Sequence, residues 1–413
     1  MASAIESLIQ ASENEKKERG TEFTPAEIFQ QPFIWRDSFR RVKEAKDDVV
    51  RFLTGAGILG GNRPGRIYMA GAGTSDFVGR SLKTLVRNRL QVEADHTATT
   101  DLVTHPDSWF LQGAPTVLVS FARSGNSPES VGAYVLANES EAKVKHLVIT
   151  CNKDGALAKR AKENPEDCQA IILHDKSNDQ SLAMTSSFSG MVVAMQAVCH
   201  IEDLDEYEPI NEALASAAEG VMVNYSDTIQ EICGKDFQRA VFLGSGALWG
   251  CATESHLKLQ EMTDGGVIAK YDTFVGLRHG PQAVIHDDTL VVYYLSSDPF
   301  VRRYELDLMA ENQEKGIGMT RVVVCNRATS EIERLADYVI EYNPDGKYRI
   351  PDLYRPPLDV TVGQMIGLFK SIDRGLKPDN PSVEGVIHRV VEGIKIYDRP
   401  EFAQSGEFKV IAG

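Results

Sequence analysis

The chain has 413 residues, of which 42% are hydrophobic and 25% charged, and its formal net charge at pH 7 is −15. Its length suits two domains better than one, and no apolar run approaches the roughly 18 residues that a membrane-spanning helix needs. The acidic balance excludes nucleic acid and anionic membrane as general partners, so we expect a small ligand that is bound by locally arranged donors.

The cysteines and the N-terminus predict a cytoplasmic protein. The six cysteines include no CxxC pair, which favours free thiols in a reducing compartment. The first twenty residues contain Glu6, Glu13 and Glu15 and have no apolar stretch typical of a secretory signal.

The chain begins with a helical extension and then repeats itself. Residues 24–53 have a helical pattern, with Trp35 as an anchor. Residues 66–90 (RIYMAGAGTSDFVGRSLKTLVRNRL) predict a strand, a glycine-rich turn and a helix, and residues 239–262 (RAVFLGSGALWGCATESHLKLQEM) predict the same unit again. Gly71 and Gly244 are 173 residues apart (244 − 71), and Cys151 and Cys325 are 174 apart (325 − 151), which indicates a duplicated domain.

The strands in each copy predict the fold class. The apolar segments 115–121, 145–151, 289–295 and 320–325 alternate with helical stretches, which is typical of a parallel sheet covered by helices on both faces. We therefore expect two tandem α/β domains of flavodoxin-like, three-layer αβα architecture. Their predicted limits are residues 51–215 and 216–375, between a helical extension (1–50) and a tail (376–413).

Three polar turns of the first copy are candidates for an anion site. Thr74 and Ser75 follow its first strand, and ARSGNSPES (122–130) supplies Arg123, Ser124 and Ser127 just before a helix. Hydroxyls, free backbone N–H groups and a helix N-terminus are what a phosphate monoester needs. Each turn could equally be only a helix cap.

A third serine-rich segment, AMTSSFSG (183–190), could close the same pocket with Thr185 and Ser186. In the second copy, an offset of 174 puts Asp298 in the place of Ser124 and Pro299 in the place of Gly125. A carboxylate repels phosphate and proline has no N–H, so we expect the second copy to have lost the anion site.

The second copy instead carries charged groups at helical spacing. Glu254, Lys258 and Glu261 are spaced i, i+4 and i+7 and share one helix face, which could be a solvated face or a reactive one. A glycine-rich loop then leads to His279, which precedes Gly-Pro. A histidine held near a glutamate is a plausible acid/base pair, although a lone histidine can be structural.

These motifs resemble those of the double sugar-isomerase (SIS) family. GAGTS (71–75), SFARSGNSPES (120–130), AMTSSFSG (183–190), ESHLKLQE (254–261) and GLRHGP (276–281) are similar to motifs of that family, which includes the isomerase half of glucosamine-6-phosphate synthase. QQPFIW (30–35), SSDPFVRRYELDL (296–308) and PDNPSVEGVIHRVVEGIKIY (378–397) are similar to its AgaS-type group of tagatose-6-phosphate isomerases and galactosamine- or glucosamine-6-phosphate deaminases. The resemblance covers the chain from residue 24.

The resemblance implies a role for each candidate residue. It places phosphate contacts at Thr74, Ser75, Arg123, Ser124 and Ser127, the C1/C2 base at Glu261, the ring-opening residue at His279, and polar partners at Lys258 and Glu254. In the synthase this histidine comes from the neighbouring subunit, so the resemblance implies a homodimer or homotetramer with shared active sites.

Two departures from the synthase concern the loop before His279 and the tail. The span from Glu261 to His279 is 18 residues (279 − 261), about two longer than in the synthase. The synthase tail carries a lysine that forms a Schiff base, and the motif does not assign that role to Lys409.

The expected reaction is ring opening of a hexosamine 6-phosphate, C1/C2 proton transfer and release of ammonia, with no metal and no cofactor. Pure ketose/aldose isomerisation uses the same residues and stays open, as does the choice between gluco and galacto epimers. Three rival hypotheses are a dehydrogenase, a sugar-phosphate sensor without activity, and a synthase lacking its amidotransferase half. The dehydrogenase has weak support, because neither GAG (71–73) nor GSG (244–246) continues as the dinucleotide-binding motif G-x-G-x-x-G.

Overall fold

The computed structural model describes residues 2–60, 65–390 and 393–397. The chain starts with helices α1 (Ala4–Gln10), α2 (Glu13–Arg19), α3 (Thr24–Phe29), α4 (Gln31–Glu44) and α5 (Lys46–Gly55). The N-terminal region is therefore helical, as predicted. Trp35 lies on α4, is fully buried, and donates a hydrogen bond from its indole nitrogen to Ser189 Oγ at 2.8 Å.

The first sheet has five parallel strands in the order β2-β1-β3-β4-β5. Its elements are β1 (Arg66–Gly71), α6 (Thr74–Leu90), β2 (Glu93–Ala98), α7 (Thr99–Thr104), β3 (Thr116–Ala122), α8 (Pro128–Glu139), β4 (Val144–Thr150), α9 (Ala156–Glu163), β5 (Cys168–Ile172) and α10 (Ser186–Cys199). The central strand β3 is buried along its whole length, as expected for a strand covered on both faces.

The second sheet has the same topology. Helix α11 (Leu204–Cys233) leads into β6 (Arg239–Gly244), α12 (Ala247–Met262), β7 (Ile268–Asp272), α13 (Phe274–Leu277), β8 (Thr289–Tyr294), α14 (Pro299–Glu314), β9 (Thr320–Cys325), α15 (Ser330–Leu335), β10 (Tyr338–Glu341) and α16 (Pro356–Asp373). Its strand order is β10-β9-β8-β6-β7, which is the first sheet's order read from the other edge. Two parallel five-stranded sheets of one topology confirm the predicted duplicated α/β fold.

The strand register corrects the predicted alignment of the two copies at one loop. Arg66 pairs with Thr116 and Arg239 with Thr289, so β1 and β3 keep an offset of 173 to β6 and β8 (239 − 66 and 289 − 116). The following loop spans 123–127 in the first copy but only 295–298 in the second. Both next helices begin at a proline, so Asp298 corresponds to Ser127, not to Ser124 as predicted.

Buried helices join the two sheets into one core. Every residue of α10 is buried, as are residues 356–371 of α16. Helix α10 packs on α4 and α6, helix α16 packs on α11 and α12, and α6 packs on α12. The limits predicted at 50/51 and 215/216 fall inside α5 and α11, which continue across them. In the part of the chain that the structure describes, no helix is both long and apolar enough to cross a bilayer.

Candidate functional site

A cavity of about 670 Å³ lies at the carboxyl ends of the strands of the first sheet. Its walls come from the loop after β1 (72–75), the loop after β3 and the start of α8 (121–125, 127, 129 and 130), the end of α12, and tail residues 386–390. The carboxyl edge of a parallel sheet is where open α/β folds bind ligands, and this volume is within the range of small-molecule sites.

Five of the predicted phosphate-binding residues line this cavity: Thr74, Ser75, Arg123, Ser124 and Ser127. Thr74 and Ser75 begin α6, and Ser127 is the N-cap of α8, so the positive ends of two helix dipoles meet here. Gly73 and Gly125 have φ angles of 55° and 65°, which side-chain-bearing residues rarely adopt. The loops therefore provide hydroxyls and helix N-termini at one end of the cavity.

A buried charged cluster forms beside this cradle. Lys258 Nζ lies 2.5 Å from Glu261 Oε2, 3.0 Å from Thr74 Oγ1 and 3.4 Å from Glu254 Oε1. Lys258 and Glu254 are fully buried, while the Glu261 side chain is 24% exposed and lines the cavity. The hypothesis of a solvated helix face is therefore wrong, and the two copies meet at the contact between Thr74 and Lys258.

Burial sets the charges of this cluster. It raises the pKa of the Glu254 carboxyl to about 8, although the Lys258 ammonium opposes the shift. Burial alone would lower the pKa of Lys258, but Glu254 and Glu261 outweigh it and the pKa is raised. Glu254 is thus protonated near neutral pH, whereas Lys258 stays cationic beside Glu261. Glu254 Oε2 is buried without a hydrogen-bond partner.

Arg123 lines the cavity, but its guanidinium is engaged by backbone carbonyls. Nη1 donates to Ser181 O at 3.3 Å and to Leu182 O at 3.2 Å, and Nη2 donates to Arg389 O. Its side chain therefore fastens the tail to the 181–182 turn.

Thr185 and Ser186 do not line the cavity, because a protein carboxylate occupies the N-terminus of α10. Asp179 accepts hydrogen bonds from the backbone nitrogens of Thr185 at 2.8 Å, Ser186 at 3.1 Å and Ser187 at 2.9 Å, and from the hydroxyl of Ser187 at 2.6 Å. The donors expected to bind phosphate are thus satisfied inside the protein. Asp179, six residues before Thr185, was the sequence signal for this competing cap.

His279 is exposed and is not part of the cavity wall in this chain. The structure therefore does not bring His279 together with Glu261 within one protomer. The tail instead brings Val386, Ile387, His388, Arg389 and Val390 to the cavity, and sequence reasoning missed all five. The available hints were their position outside the duplicated pattern and the family resemblance of residues 378–397. Lys409 lies outside the described residues.

In the second copy, carboxylates occupy the corresponding loop. Asp298 Oδ1 accepts from Phe300 N at 2.8 Å, Glu305 accepts from Ser296 N at 2.7 Å, and Asp352 accepts from Ser297 N at 2.8 Å. Burial raises the pKa of Glu305 to about 7. The backbone N–H groups that could bind an anion thus donate to carboxylates of the protein itself. This agrees with the expected loss of the anion site in the second copy, although Asp298 aligns with Ser127 and not with Ser124.

One set of potential metal ligands, not expected from the sequence, comes together within the described residues. Potential ligand atoms of His200, Asp203 and Glu206, between the end of α10 and the first turn of α11, lie within 4.8 Å of one another. The Arg89 guanidinium pairs with Asp203 and lies 3.6 Å from Glu206, so a cation already compensates both carboxylates.

Comparison with known proteins agrees with this geometry. The SIS domain model matches residues 62–201. D-galactosamine-6-phosphate deaminase AgaS of Escherichia coli is 35% identical over 376 residues, covering 91% of this chain and 95% of that protein. The protein of the same name from Shewanella sp. (strain ANA-3) is 33% identical over 389 residues and covers 92% of each chain.

A solved structure extends the similarity to the whole fold. The crystal structure of tagatose-6-phosphate ketose/aldose isomerase from Escherichia coli matches with a TM-score of 0.81 and 31% identity, covering 91% of this chain and 96% of that one. Identity above 30% over nearly the whole length of these relatives shows that this chain belongs to the SIS-domain family, among the relatives of AgaS.

Proposed function

We propose that the protein converts a hexosamine 6-phosphate to a ketose 6-phosphate and ammonia, with galactosamine 6-phosphate or its gluco epimer as substrate. The observation that carries the proposal is the arrangement of one cavity, with hydroxyls and two helix N-termini on one wall and the Glu261 carboxylate on another. Relatives named for galactosamine-6-phosphate deamination support this substrate class.

The phosphate end of the substrate is assigned to the loops after β1 and β3. Ser75, Ser124 and Ser127 would donate to phosphate oxygens, together with backbone N–H groups at the starts of α6 and α8. Arg123 contributes positive charge at this end while its own donors bind carbonyls. With the phosphate bound at these loops, C1 and C2 of the sugar would lie next to the end of α12.

Glu261 is the proposed base. In the open-chain aldose its carboxylate removes the C2 proton, the C2–H electrons form a C1=C2 double bond, and C1=O becomes a hydroxyl after protonation, giving an enaminol. Return of the proton to C1 converts the enaminol to a ketimine at C2. Water adds to the C=N bond, and collapse of the adduct gives the ketose and ammonia.

Lys258 and Glu254 support this step without touching the cavity. Lys258 binds Glu261 directly and fixes the orientation of the carboxylate. Protonated Glu254 allows Lys258 to direct its charge at Glu261, because a second carboxylate anion would compete for the ammonium. Thr74 connects this cluster to the phosphate loop.

A coupled ammonia assay on galactosamine 6-phosphate and glucosamine 6-phosphate tests the proposal. Glu261→Gln should lower turnover by about 10²- to 10⁴-fold, the usual contribution of a general base, with little change in substrate affinity. Asp264→Asn, which neutralises another cavity carboxyl group, is the matched control and should retain activity within about threefold. Absence of turnover on both substrates would exclude deamination.

Ketose/aldose isomerisation is the second candidate, favoured by the structural match to an isomerase of that name. It needs the same proton transfer but no nitrogen at C2. Turnover of tagatose 6-phosphate without ammonia release from either hexosamine phosphate would favour it. A cytoplasmic homodimer or homotetramer is part of the same proposal, and light scattering after gel filtration measures the assembly.

A further inference from the structure

Tail residues 379–390 return to the first domain, and we call this segment the strap. At its start, the Asp379 carboxylate accepts hydrogen bonds from Thr24 N at 2.7 Å and Thr24 Oγ1 at 2.6 Å, and its carbonyl accepts from Leu182 N at 2.9 Å. The strap is thereby tied both to the N-terminal extension and to the turn that precedes α10.

His388 lies between two further anchors of the strap. On one side, Ser382 Oγ accepts from the backbone nitrogens of Val386 at 3.0 Å and Ile387 at 3.3 Å. On the other side, Arg123 donates to the carbonyl of Arg389. The Arg389 guanidinium donates in turn to Asp179 O, with Nε at 2.8 Å. An otherwise exposed imidazole is therefore held at the cavity wall by its immediate neighbours.

His388 is the single histidine among the described residues that line the cavity. The other ionisable groups on this wall are the guanidinium groups of Arg123 and Arg389 and the carboxyl groups of Glu129, Glu261 and Asp264. Imidazole is the side chain suited to give and take a proton near neutral pH. The cavity of one chain thus contains a carboxylate base and a separate imidazole.

We propose that His388, supplied by the same chain, transfers the proton that opens the sugar ring, a role that the family resemblance would give to His279. This inference rests on the proposed function. The His388 imidazolium donates a proton to the ring oxygen as the C1–O5 bond breaks and its electrons pass to O5. The C1 hydroxyl loses its proton to water, its electrons form the C1=O bond, and His388 regains a proton from solvent.

Arg123 is then a positioning residue. Its fork of donors binds carbonyls on both sides of the gap, Ser181 and Leu182 on the domain and Arg389 on the strap. Lysine at this position would keep the charge but not the planar fork. Loss of the Arg123 contact should therefore displace His388 while leaving Glu261 in place.

The test separates ring opening from proton transfer at carbon. A 5-deoxy-ketohexose 6-phosphate has no hydroxyl at C5, and phosphate blocks O6, so this probe stays open-chain. Exchange of its C1 hydrogens with D₂O, followed by NMR, reports the Glu261 step alone. Ammonia release from cyclic hexosamine 6-phosphate reports both steps. Wild type, His388→Gln, His279→Gln and Glu261→Gln are compared, with the exposed His105→Gln as control.

We expect His388→Gln to lower turnover of the cyclic substrate by about 100-fold or more and to change exchange of the open-chain probe by less than about threefold. Glu261→Gln should lose both activities and His105→Gln neither. Adding Arg123→Lys to His388→Gln should reduce cyclic turnover by no more than a further threefold or so, because both changes remove one function.

Three outcomes would overturn the inference. His388→Gln could match wild type on the cyclic substrate, it could lose both activities equally, or His279→Gln could show the selective loss of cyclic turnover instead. If the wild type neither releases ammonia nor exchanges the C1 hydrogens, the proposed function itself fails. That result differs from a failure of the role assigned to His388.

Discussion

Replacing Glu254 with glutamine should change how the stability of the protein depends on pH. The Glu254 carboxyl is fully buried, and its pKa rises from an ordinary 4.5 to about 8 in the folded state. Between these two pH values the folded protein keeps a proton that the unfolded chain has released. Stability from this group is therefore greatest below pH 4.5 and is lost as pH rises toward 8.

The size of the effect follows from the two pKa values. One proton of difference corresponds to a slope of about 1.4 kcal/mol per pH unit in the free energy of unfolding. Between pH 5 and pH 8 this sums to about 3 kcal/mol, because the slope flattens near either end. Glutamine has nearly the same volume and no titrating group. The difference in stability between Glu254→Gln and wild type should therefore shift by about 3 kcal/mol in favour of the variant over this range.

Urea denaturation followed by tryptophan fluorescence at pH 5, 6, 7 and 8 measures this difference. Glu163→Gln, an exposed substitution at the end of α9, serves as the control and should parallel the wild type. If the curves of Glu254→Gln and wild type stay parallel from pH 5 to 8, Glu254 is not protonated at neutral pH. The assigned charges of the Lys258 cluster would then be wrong.

Three other substitutions and one labelling experiment test the fold and the cradle. Asp179→Ala should destabilise the protein by about 3 to 5 kcal/mol in chemical denaturation, because it leaves buried N–H groups of α10 without an acceptor; a loss below about 1 kcal/mol would contradict this. Gly250→Ala should cost about 1 to 3 kcal/mol and lower Tm, since a Cβ there would lie 2.6 Å from Ser81 Cα, and an unchanged Tm would contradict the close approach of α6 and α12. Ser127→Ala should raise KM by roughly tenfold with kcat nearly unchanged, and a loss confined to kcat would remove it from phosphate binding. The six cysteines are all buried, so a thiol reagent should label them only after unfolding, and rapid labelling of the native protein would contradict this.

The sequence determined the fold class and the shared helix face of three charged residues, because both depend on local patterns. Apolar strands alternating with helices require a parallel sheet, and a repeat of about 173 residues requires two of them. The i, i+4, i+7 spacing of Glu254, Lys258 and Glu261 places them on one face in any α-helix. The loops after the first and third strands had to meet, because parallel strands end at one edge.

Tertiary structure alone decided which donors remain available and what closes the cavity. Asp179 accepts hydrogen bonds from the N-terminus of α10. Arg123 donates to the carbonyl of Arg389 in the strap, more than 200 residues later in the chain. The pKa of Glu254 comes from complete burial, which helical spacing does not encode. Partners far apart in sequence meet only through packing, and the competition between a protein carboxylate and a ligand for the same N–H groups is settled by that packing.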